Sequence, residues 1–461
     1  MYDIQSRWKI ENKRLVYYGL RRKEDLFRNT VKLSSAQEKI ISSLPKELSV
    51  DEKRTLGELM DKIVLESSMK RVIPKSLDEA TFCRGCAAND FIIPGIEFDE
   101  DGFCPICTTY EETKGLKSLL PVMNDFPVST SSRFDVAVFY TGGKDSTYLL
   151  YYLSKVKKLR VLALTWEIPF MSESARLSIE GAKKSMENVE FVSAKINDSD
   201  LKKIYRKLYA LSGNTCACPS LAYVLFYPLL VENKVPYFVA GNEPAQVMGL
   251  YYNHMAPKTA YSFAENAPMN FMYNIFRILT LRPPLKSGQF QSLATMKQLY
   301  RGENIFQKAA GYHNELVSNI VTAIKEVPSL TDPLRRAVRR SSRTGNIPAF
   351  VQVDLDWISG GVYDWRKTKD IIIRECGWVA PESVSKGLHT SCSIERCKEY
   401  TQFIRFYNMQ STMIPFSALE IAIAGRNRNL PRDEALREMK KELGFSLEEI
   451  GECEIMKGYL K

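Results

Sequence analysis

Short apolar runs alternate with amphipathic segments between residues 134 and 250, and this alternation predicts a βα fold. The runs FDVAVFY, LRVLALTWEI, VEFVSAKI and PYFVAGNE are rich in β-branched and aromatic residues, as strands are. Between them, STYLLYYLSKVKK, SESARLSIEGAKKSM and DSDLKKIYRKLYALSG carry apolar residues at helical spacing. Strands that alternate with helices form a parallel sheet covered on both faces. We therefore predict an α/β domain whose ligand lies beyond the carboxyl ends of its strands.

The segments on either side of this core follow other patterns. Residues 1–80 carry two hydroxyl-capped helical patterns, SSAQEKIISSLP and SVDEKRTLGELMDKIVLES, which predict a helical module, or a winged helix if the flanking segments pair. Residues 81–110 are dense in cysteine, and 251–350 read as an insertion with aromatic, methionine-rich and basic segments. Residues 351–461 are predicted to be mostly helical, with PRDEALREMKKELG as the clearest helix.

Composition and charge narrow the function classes. The 461 residues suffice for two or three domains, and the net charge of +10 favours an anionic partner or serves solubility. No apolar leader is present, and the longest apolar runs are about half the length that spans a bilayer. We therefore expect a cytoplasmic protein without a transmembrane segment, in which cysteines act as thiols or metal ligands.

Four cysteines form two CxxC pairs, FCRGC and FCPIC, separated by seventeen residues. Each pair can form a knuckle whose two thiolates face one ion, and two knuckles complete a tetrahedral site that suits Zn²⁺. A closed site of four thiolates predicts a structural zinc lobe, with an iron–sulfur cluster as the alternative. The predicted ligands are Cys83, Cys86, Cys104 and Cys107.

The stretch VAVFYTGGKDSTYLL, residues 136–150, places two glycines between a predicted strand and a predicted helix. Glycines allow successive N–H groups to face one concavity at the helix N-terminus, which is an anion site. The spacing differs from the G-x-x-x-x-G-K-[ST] pattern of kinase-type phosphate loops. The lysine adds positive charge, the hydroxyls can donate to phosphate oxygens, and the aspartate can orient the loop or help hold Mg²⁺. The predicted phosphate-binding residues are Thr141, Gly142, Gly143, Lys144, Asp145, Ser146 and Thr147.

The segment TGGKDST resembles the SGGxDS loop of the PP-loop ATP pyrophosphatases, the N-type group with a HUP-like fold, with Thr141 in place of the first serine. The resemblance implies that the loop grips the β and γ phosphates of Mg·ATP. A substrate oxygen would attack the α-phosphate, pyrophosphate would leave, and Lys144 and Asp145 are the predicted catalytic residues of this step. The further nucleotide contacts that it implies are Thr165, Gly241 and Asn242.

Other segments resemble the N-acetyl sugar amidotransferase family within this superfamily. They are CRGC…IPGIEFDEDGFCPIC, CGWVAPE, GLHTSC and LPRDEALREM. The resemblance implies that ammonia from a separate glutaminase subunit attacks an activated N-acetyl group on a nucleotide sugar, in polysaccharide biosynthesis. The chain begins Met-Tyr and has three histidines, which leaves no room for a glutaminase triad of its own.

Further cysteines keep a second chemistry open. NTCACPS and HTSCSIERC contain four thiols, and sulfur-transferring relatives in the superfamily use a catalytic cysteine pair or a [4Fe–4S] cluster. Cys218 precedes a predicted helix, whose N-terminus lowers the pKa of a thiol, and with Cys392 it is a predicted catalytic residue. The substrate would then be tRNA or a small molecule, and a peptide is a third option. The predicted second cluster is Cys216, Cys218, Cys392 and Cys397, with His389 as a nearby base or ligand.

The basic run RRAVRRSSR, residues 335–343, can bind the phosphates of a nucleotide sugar or of RNA. No aromatic residue interrupts the run, and base stacking needs one. Nucleic acid is therefore an alternative partner that the sequence does not favour, and a solvated helix face is an equal explanation.

Overall fold

The computed structural model describes residues 1–116, 118–213, 217–256, 267–303, 315–381, 391–448 and 451–461, without the side chains of 267–270, 451 and 452. Its strands are β1 (Tyr2–Ile4), β2 (Trp8–Glu11), β3 (Arg14–Tyr17), β4 (Thr30–Lys32), β5 (Val64–Glu66), β6 (Val136–Phe139), β7 (Val161–Trp166), β8 (Val189–Ala194), β9 (Tyr237–Ala240) and β10 (Ala349–Gln352). Its first nine helices are α1 (Ser35–Ile41), α2 (Val50–Leu56), α3 (Pro105–Thr108), α4 (Tyr110–Thr113), α5 (Lys144–Tyr151), α6 (Glu173–Ser185), α7 (Asp198–Ser212), α8 (Cys218–Glu232) and α9 (Pro244–Tyr252).

Ten further α-helices lie between residues 267 and 460 of the described chain. They are α10 (Ala267–Leu279), α11 (Gln289–Arg301), α12 (Glu315–Lys325), α13 (Pro328–Thr344), α14 (Leu355–Ile358), α15 (Trp365–Cys376), α16 (Glu395–Tyr407), α17 (Phe416–Asn427), α18 (Arg432–Leu443) and α19 (Gly451–Leu460). No helix in these described ranges is long and apolar enough to cross a membrane. The chain divides into two compact units. One contains 1–113, 399–426 and 431–449, and the other contains 114–398, 427–430 and 450–461.

The second unit is built on a five-stranded parallel sheet, which confirms the predicted α/β fold. The strand order is β10-β9-β6-β7-β8, and every pair is parallel. Strands β7 and β10 are buried along their whole length, as expected for a sheet covered by helices on both faces. Numbered within the unit, the order is 5-4-1-2-3, the doubly wound arrangement. The strand order reverses between β6 and β9, and ligands bind such sheets at that point.

The fifth strand, β10, crosses the boundary at residue 350 between the predicted insertion and the region predicted to be mostly helical. Its four residues, AFVQ, pair in parallel with β9, for instance Val351 with Val239. A strand of four residues carries too little periodicity to stand out, and its partner lies more than one hundred positions earlier. The strand lengthens the sheet next to the switch point.

The first unit begins with a module that contains both of the predicted helices and two small antiparallel sheets. Ser34 and Ser49 cap α1 and α2 with capping boxes. The second helix is shorter than its pattern, because Gly57 ends it with a φ of +53° and the chain then turns into β5. Strands β2, β3 and β4 form one sheet, and β1 pairs with β5. The module therefore contains paired strands beside its two helices. Strands of three or four residues carry little sequence signal, so the sequence alone favoured the helices.

The same unit holds the cysteine lobe and the helices near the C-terminus. Arg426 on α17 donates to the carbonyl oxygen of Ile106, and Arg432 on α18 donates to the carbonyl oxygen of Cys83 at 2.7 Å. The LPRDEALREM segment, which contains Arg432, therefore supports the cysteine lobe directly. Two sequence segments that lie more than three hundred residues apart build one structure.

Candidate functional site

The glycine turn follows β6 at the switch point of the sheet. Gly142 has a φ of +73°, and a Cβ at this position would lie 2.5 Å from the carbonyl oxygen of Ala175. Only glycine meets both conditions, the left-handed backbone and the close approach of α6. Gly143 then forms the N-cap of α5, so the first-turn N–H groups of α5 open towards the turn without carbonyl partners inside the helix. This is the geometry of an anion site.

Hydroxyl groups fix the shape of the turn. The Thr141 and Ser146 hydroxyls lie 3.2 Å apart, and the Thr141 N–H donates to Ser146 Oγ at 3.3 Å. The Thr147 hydroxyl is buried and donates to the carbonyl oxygen of Gly143 at 2.8 Å. Thr141 is exposed and Ser146 partly so, whereas Thr147 supports the turn from beneath. Of the three predicted hydroxyl contacts to phosphate, the first two are the accessible ones.

Two carboxylates hold the ammonium group of Lys144. Lys144 Nζ donates to Asp145 Oδ1 at 2.5 Å and to Glu243 Oε2 at 3.1 Å. The Lys144 side chain is 11% exposed and that of Glu243 only 1%, so the attraction between them is weakly screened. Two carboxylates therefore contact the same ammonium group.

Two aromatic side chains that lie more than two hundred positions later in the sequence complete the surroundings of Lys144. Its Nζ lies 4.6 Å from the ring centroid of Tyr363 and 4.8 Å from that of Trp365, which are cation–π distances. The Tyr363 hydroxyl donates to Asp145 Oδ1 at 2.6 Å. Burial, with the charge of Asp145 second, raises the pKa of Tyr363 well above its ordinary value, so this hydroxyl stays a donor.

A tryptophan of the CGWVAPE segment contacts the turn itself. The indole N–H of Trp378 donates to the carbonyl oxygen of Gly142 at 3.0 Å, and this bond is buried. In the same segment, Gly377 packs against Gly181 of α6. The part of the segment that the structure describes is therefore a support of the glycine turn.

Tyr363, Trp365 and Trp378 were not among the predicted site residues, and Glu243 was expected only to border the nucleotide crevice. Glu243 follows Asn242 at the end of β9, so its position after a parallel strand was a usable signal. The other three lie more than two hundred residues from the turn, and no local pattern in the sequence connects them to it.

The three predicted contacts outside the turn lie at the carboxyl ends of β7 and β9. Thr165 is buried, and its hydroxyl donates to the carbonyl oxygen of Tyr140 at 2.9 Å, which ties β7 to β6. Asn242 is exposed and Gly241 partly exposed. A contact of Thr165 with adenine would therefore need its backbone, whereas Asn242 offers its side chain.

Helix α8 brings Cys218 to the carboxyl edge of the same sheet. The Tyr223 ring lies 5.2 Å from the ring of Phe139, which ends β6. At the opposite end of the helix, the carbonyl oxygen of Asn233 accepts from the Ser132 hydroxyl ahead of β6 at 2.9 Å. The helix thus runs antiparallel to β6, and its first residue, Cys218, lies at the carboxyl edge. Its thiol is at a helix N-terminus, where thiolates are stabilised.

Cys392 reaches this edge by another route. The backbone on either side of it pairs with the loop after β7: Ser172 N–H donates to the Ser391 carbonyl oxygen at 3.0 Å, and Ser393 N–H donates to the Phe170 carbonyl oxygen at 2.7 Å. Both Cys218 and Cys392 are partly buried rather than enclosed. Two predicted catalytic thiols therefore lie at the carboxyl edge of the sheet.

The predicted second metal cluster is only partly described. Cys216, His389 and most of GLHTSC lie outside the described residues. Cys397 is buried on α16, and its carbonyl oxygen accepts from Cys453 Sγ at 3.8 Å. In the described ranges, neither Cys218 nor Cys392 nor Cys397 belongs to any group of three or more converging ligand atoms. These three thiols therefore do not form a metal site by themselves.

The four cysteines of the CxxC pairs converge as predicted. Their sulfur atoms all lie within 4.8 Å of one another, with Cys83 and Cys107 at 3.7 Å and Cys86 and Cys104 at 3.6 Å. Four sulfurs bound at 2.3 Å to one tetrahedral ion lie about 3.8 Å apart. In a [4Fe–4S] cluster each thiolate binds a different iron, which requires a wider spacing. The spacing fits a single tetrahedral ion.

Backbone amides and burial prepare these sulfurs for a cation. Gly85 N–H donates to Cys83 Sγ at 3.3 Å, and Cys104 N–H donates to the same sulfur at 3.2 Å. Hydrogen bonds from the neighbouring thiols, that of Cys104 first, lower the pKa of Cys83, whereas burial raises the pKa of Cys104. Buried thiolates need a compensating charge, which a bound cation supplies.

Substitution of Gly142 tests the geometry of the turn. In Gly142→Ala, the new Cβ clashes with the Ala175 carbonyl oxygen and the backbone is strained, so we expect a loss of about 1–3 kcal/mol in the free energy of unfolding. Nucleotide binding should weaken at least tenfold. Gly115→Ala, where no atom lies within 4 Å of the added Cβ, is the matched control. Denaturation and equilibrium binding of ATP measure both effects, and unchanged binding would contradict the assignment.

The comparisons with known proteins add little to this geometry. No protein-family model matches the chain, and no curated protein matches it. Eight chains of solved structures do, among them the U34-tRNA thiolase NcsA from Methanococcus maripaludis with its [4Fe-4S] cluster. The match has 14% sequence identity, covers 56% of this chain and 88% of that one, and has a TM-score of 0.21. A likeness with this TM-score carries no argument about activity.

Proposed function

We propose that the protein is an ATP pyrophosphatase of the PP-loop type, which activates a substrate oxygen by adenylation. One observation carries the proposal: the TGGKDST turn, with a glycine that no other residue can replace, lies at the switch point of a 5-4-1-2-3 parallel sheet. A turn that binds a terminal phosphate for transfer has a different spacing. Release of AMP and pyrophosphate from ATP is the result that this function requires, and ADP would contradict it.

The residues around the turn have separate roles in this step. The N–H groups of the turn and Lys144 hold the β and γ phosphates, which become the leaving pyrophosphate. The substrate oxygen bonds to the α-phosphorus as the bond from that phosphorus to the β-bridging oxygen breaks. Asp145 and Glu243 are the oxygen donors that would hold Mg²⁺, an ion that prefers carboxylates together with phosphates. Both carboxylates contact Lys144 at the start of α5, next to the turn that would hold the phosphates.

The two thiols at the carboxyl edge favour sulfur over ammonia as the second substrate. The outer sulfur of a persulfide on Cys218 would attack the substrate carbon that carries the adenylated oxygen. The bond between that carbon and the oxygen would then break, and AMP would leave with the oxygen. Attack by Cys392 on the inner sulfur would then release the thiolated product and leave a disulfide, which an external thiol reduces. Ammonia, a separate glutaminase and a nucleotide-sugar substrate are supported only by the sequence resemblance, and tRNA or a small molecule fits the sulfur chemistry equally.

Zinc at the four CxxC cysteines has a structural role in this proposal. The spacing of the sulfurs fits one tetrahedral ion, and a site with four protein ligands leaves no open position for substrate. The iron–sulfur alternative would have to use cysteines other than these four.

Loading of sulfur onto the thiols tests the choice of nucleophile without a known substrate. Incubated with a cysteine desulfurase and cysteine, the protein should gain one sulfur atom on Cys218 in intact and peptide mass spectra. A thiol at a helix N-terminus is the more nucleophilic one. In Cys218→Ser this gain should fall at least tenfold, whereas Cys453→Ser, a buried thiol on α19, should load as the wild type does. Equal loading of wild type and Cys218→Ser would remove the sulfur role.

A further inference from the structure

From residue 271 to its end, helix α10 turns Asn274 and Arg277 towards the protein and its apolar side chains outward. Arg277 is fully buried and donates to the carbonyl oxygens of Pro283, at 2.7 Å, and Ser342, at 2.9 Å. Asn274 exchanges hydrogen bonds with the backbone of Leu285 at 2.8 and 3.2 Å. A helix on the surface of a globular protein normally has the opposite arrangement.

The outward face is apolar over a wide arc. Of the 24 large apolar side chains that are exposed among the described residues, seven lie between positions 271 and 281. With 3.6 residues per turn, those on α10 cover an arc of about 160°. Exposed patches of this kind mark binding surfaces. They are Phe271, Met272, Ile275, Phe276, Ile278, Leu279 and Leu281, exposed by 44% to 96%.

A basic cavity of about 690 Å³ adjoins this face, since Phe276 lines it as well. Six arginines and one lysine line it, and among the described residues none of them pairs with a carboxylate. Positive charge at this density favours an anionic partner. The basic residues are Arg282, Lys297, Arg301, Arg336, Arg339, Arg340 and Arg343.

We propose that α10 and this cavity form a peripheral binding site for an anionic phospholipid surface. The apolar arc enters the boundary between headgroups and acyl chains, while the arginines contact the headgroup phosphates. An anionic membrane surface therefore provides binding partners for both the apolar face of α10 and the basic cavity. Single-stranded RNA could use Tyr273 and Tyr300 for stacking, but it has no use for exposed Ile278, Leu279 and Leu281. This site is independent of the adenylation step.

Vesicle flotation with the full-length protein tests this site. We expect binding to vesicles of phosphatidylcholine with about one third phosphatidylglycerol, weak binding to phosphatidylcholine alone, and loss of binding at high salt. Arg336→Ser/Arg340→Ser should weaken binding about fivefold per arginine, and Leu279→Ser/Leu281→Ser at least tenfold. Because these side chains lie on the surface or line an open cavity, we expect the variants to fold. Thermal unfolding checks this expectation.

Matched controls have the same chemical changes elsewhere. Arg28→Ser/Arg54→Ser, both 79% exposed, and Val72→Ser/Val128→Ser, at 85% and 71%, should bind as the wild type does. Three outcomes would overturn the proposal. One is equal binding to both vesicle types. Another is absence of vesicle binding together with arginine-dependent binding of a single-stranded RNA. The last is absence of vesicle binding with self-association that Leu279→Ser/Leu281→Ser abolishes.

Discussion

Lys144→Met should reduce AMP formation at least about a hundredfold, because the leaving pyrophosphate loses its fixed positive charge. The same change should cost about 3 kcal/mol in the free energy of unfolding. Glu243 is 1% exposed, and without the ammonium its carboxylate is left buried beside Asp145 without that counter-charge. Steady-state product analysis and chemical denaturation measure the two effects separately.

A second substitution separates the loss of activity from the loss of stability. Lys144→Met/Glu243→Gln removes one of the two carboxylates, so most of the lost stability should return while AMP formation stays low. Lys155→Met is the matched control, since Lys155 lies in the π-helical segment Tyr152–Val156 that continues α5 and contacts Glu375 rather than the glycine turn. Because Glu243 is also a proposed Mg²⁺ ligand, activity that returns together with stability would exclude both Lys144 and Glu243 from the reaction.

Cys104→Ser should abolish metal binding and destabilise the first unit. Cys104 is fully buried and its sulfur lies 3.6 Å from that of Cys86, so no other side chain can take its place around the ion. Metal binding at such sites contributes directly to the free energy of folding. We expect one zinc per chain in the wild type, none in the variant, and a fall in Tm of at least about 5 °C.

The control for this change is a buried cysteine of the other unit. Cys453 contacts the Cys397 carbonyl oxygen and is not one of the four converging cysteines, so zinc content should not change in Cys453→Ser. Elemental analysis and thermal unfolding provide the measurements. Full zinc content in Cys104→Ser would show that the four cysteines are not the ligands.

The parts of the fold that local patterns determine were predictable from the sequence. Strands β6, β7 and β9 are almost entirely apolar and the turn TGGKDST is compact, so the sequence alone was enough to predict them. The CxxC spacing led to the cluster of Cys83, Cys86, Cys104 and Cys107, since four thiols in knuckles have few other arrangements. Strand β10 was missed because it has only four residues, and the strands of the N-terminal module, equally short, were expected only in the winged-helix alternative.

The surroundings of the site were less predictable, because they come from distant parts of the chain. Tyr363 contacts Asp145 across 218 positions, and nothing near Tyr363 indicates this. The basic run, residues 335–343, contains no aromatic residue, so its sequence alone did not favour nucleic acid as a partner. In the folded protein, Tyr273, Phe276 and Tyr300 from α10 and α11 line the same cavity as its arginines. Linear spacing could not show this proximity.

The central claim is that ATP is cleaved between its α- and β-phosphates, and identification of the cleavage products tests it most directly. Purified protein, Mg²⁺ and ATP labelled at the α-phosphate are incubated with RNA or small-molecule fractions of a cell extract, and the labelled products are separated. The account predicts that a fraction containing the substrate yields AMP with an equal amount of pyrophosphate, and that Asp145→Ala, although folded, yields neither. Labelled ADP with release of inorganic phosphate, lost in Asp145→Ala, would contradict it, because the glycine turn would then serve cleavage at the γ-phosphate.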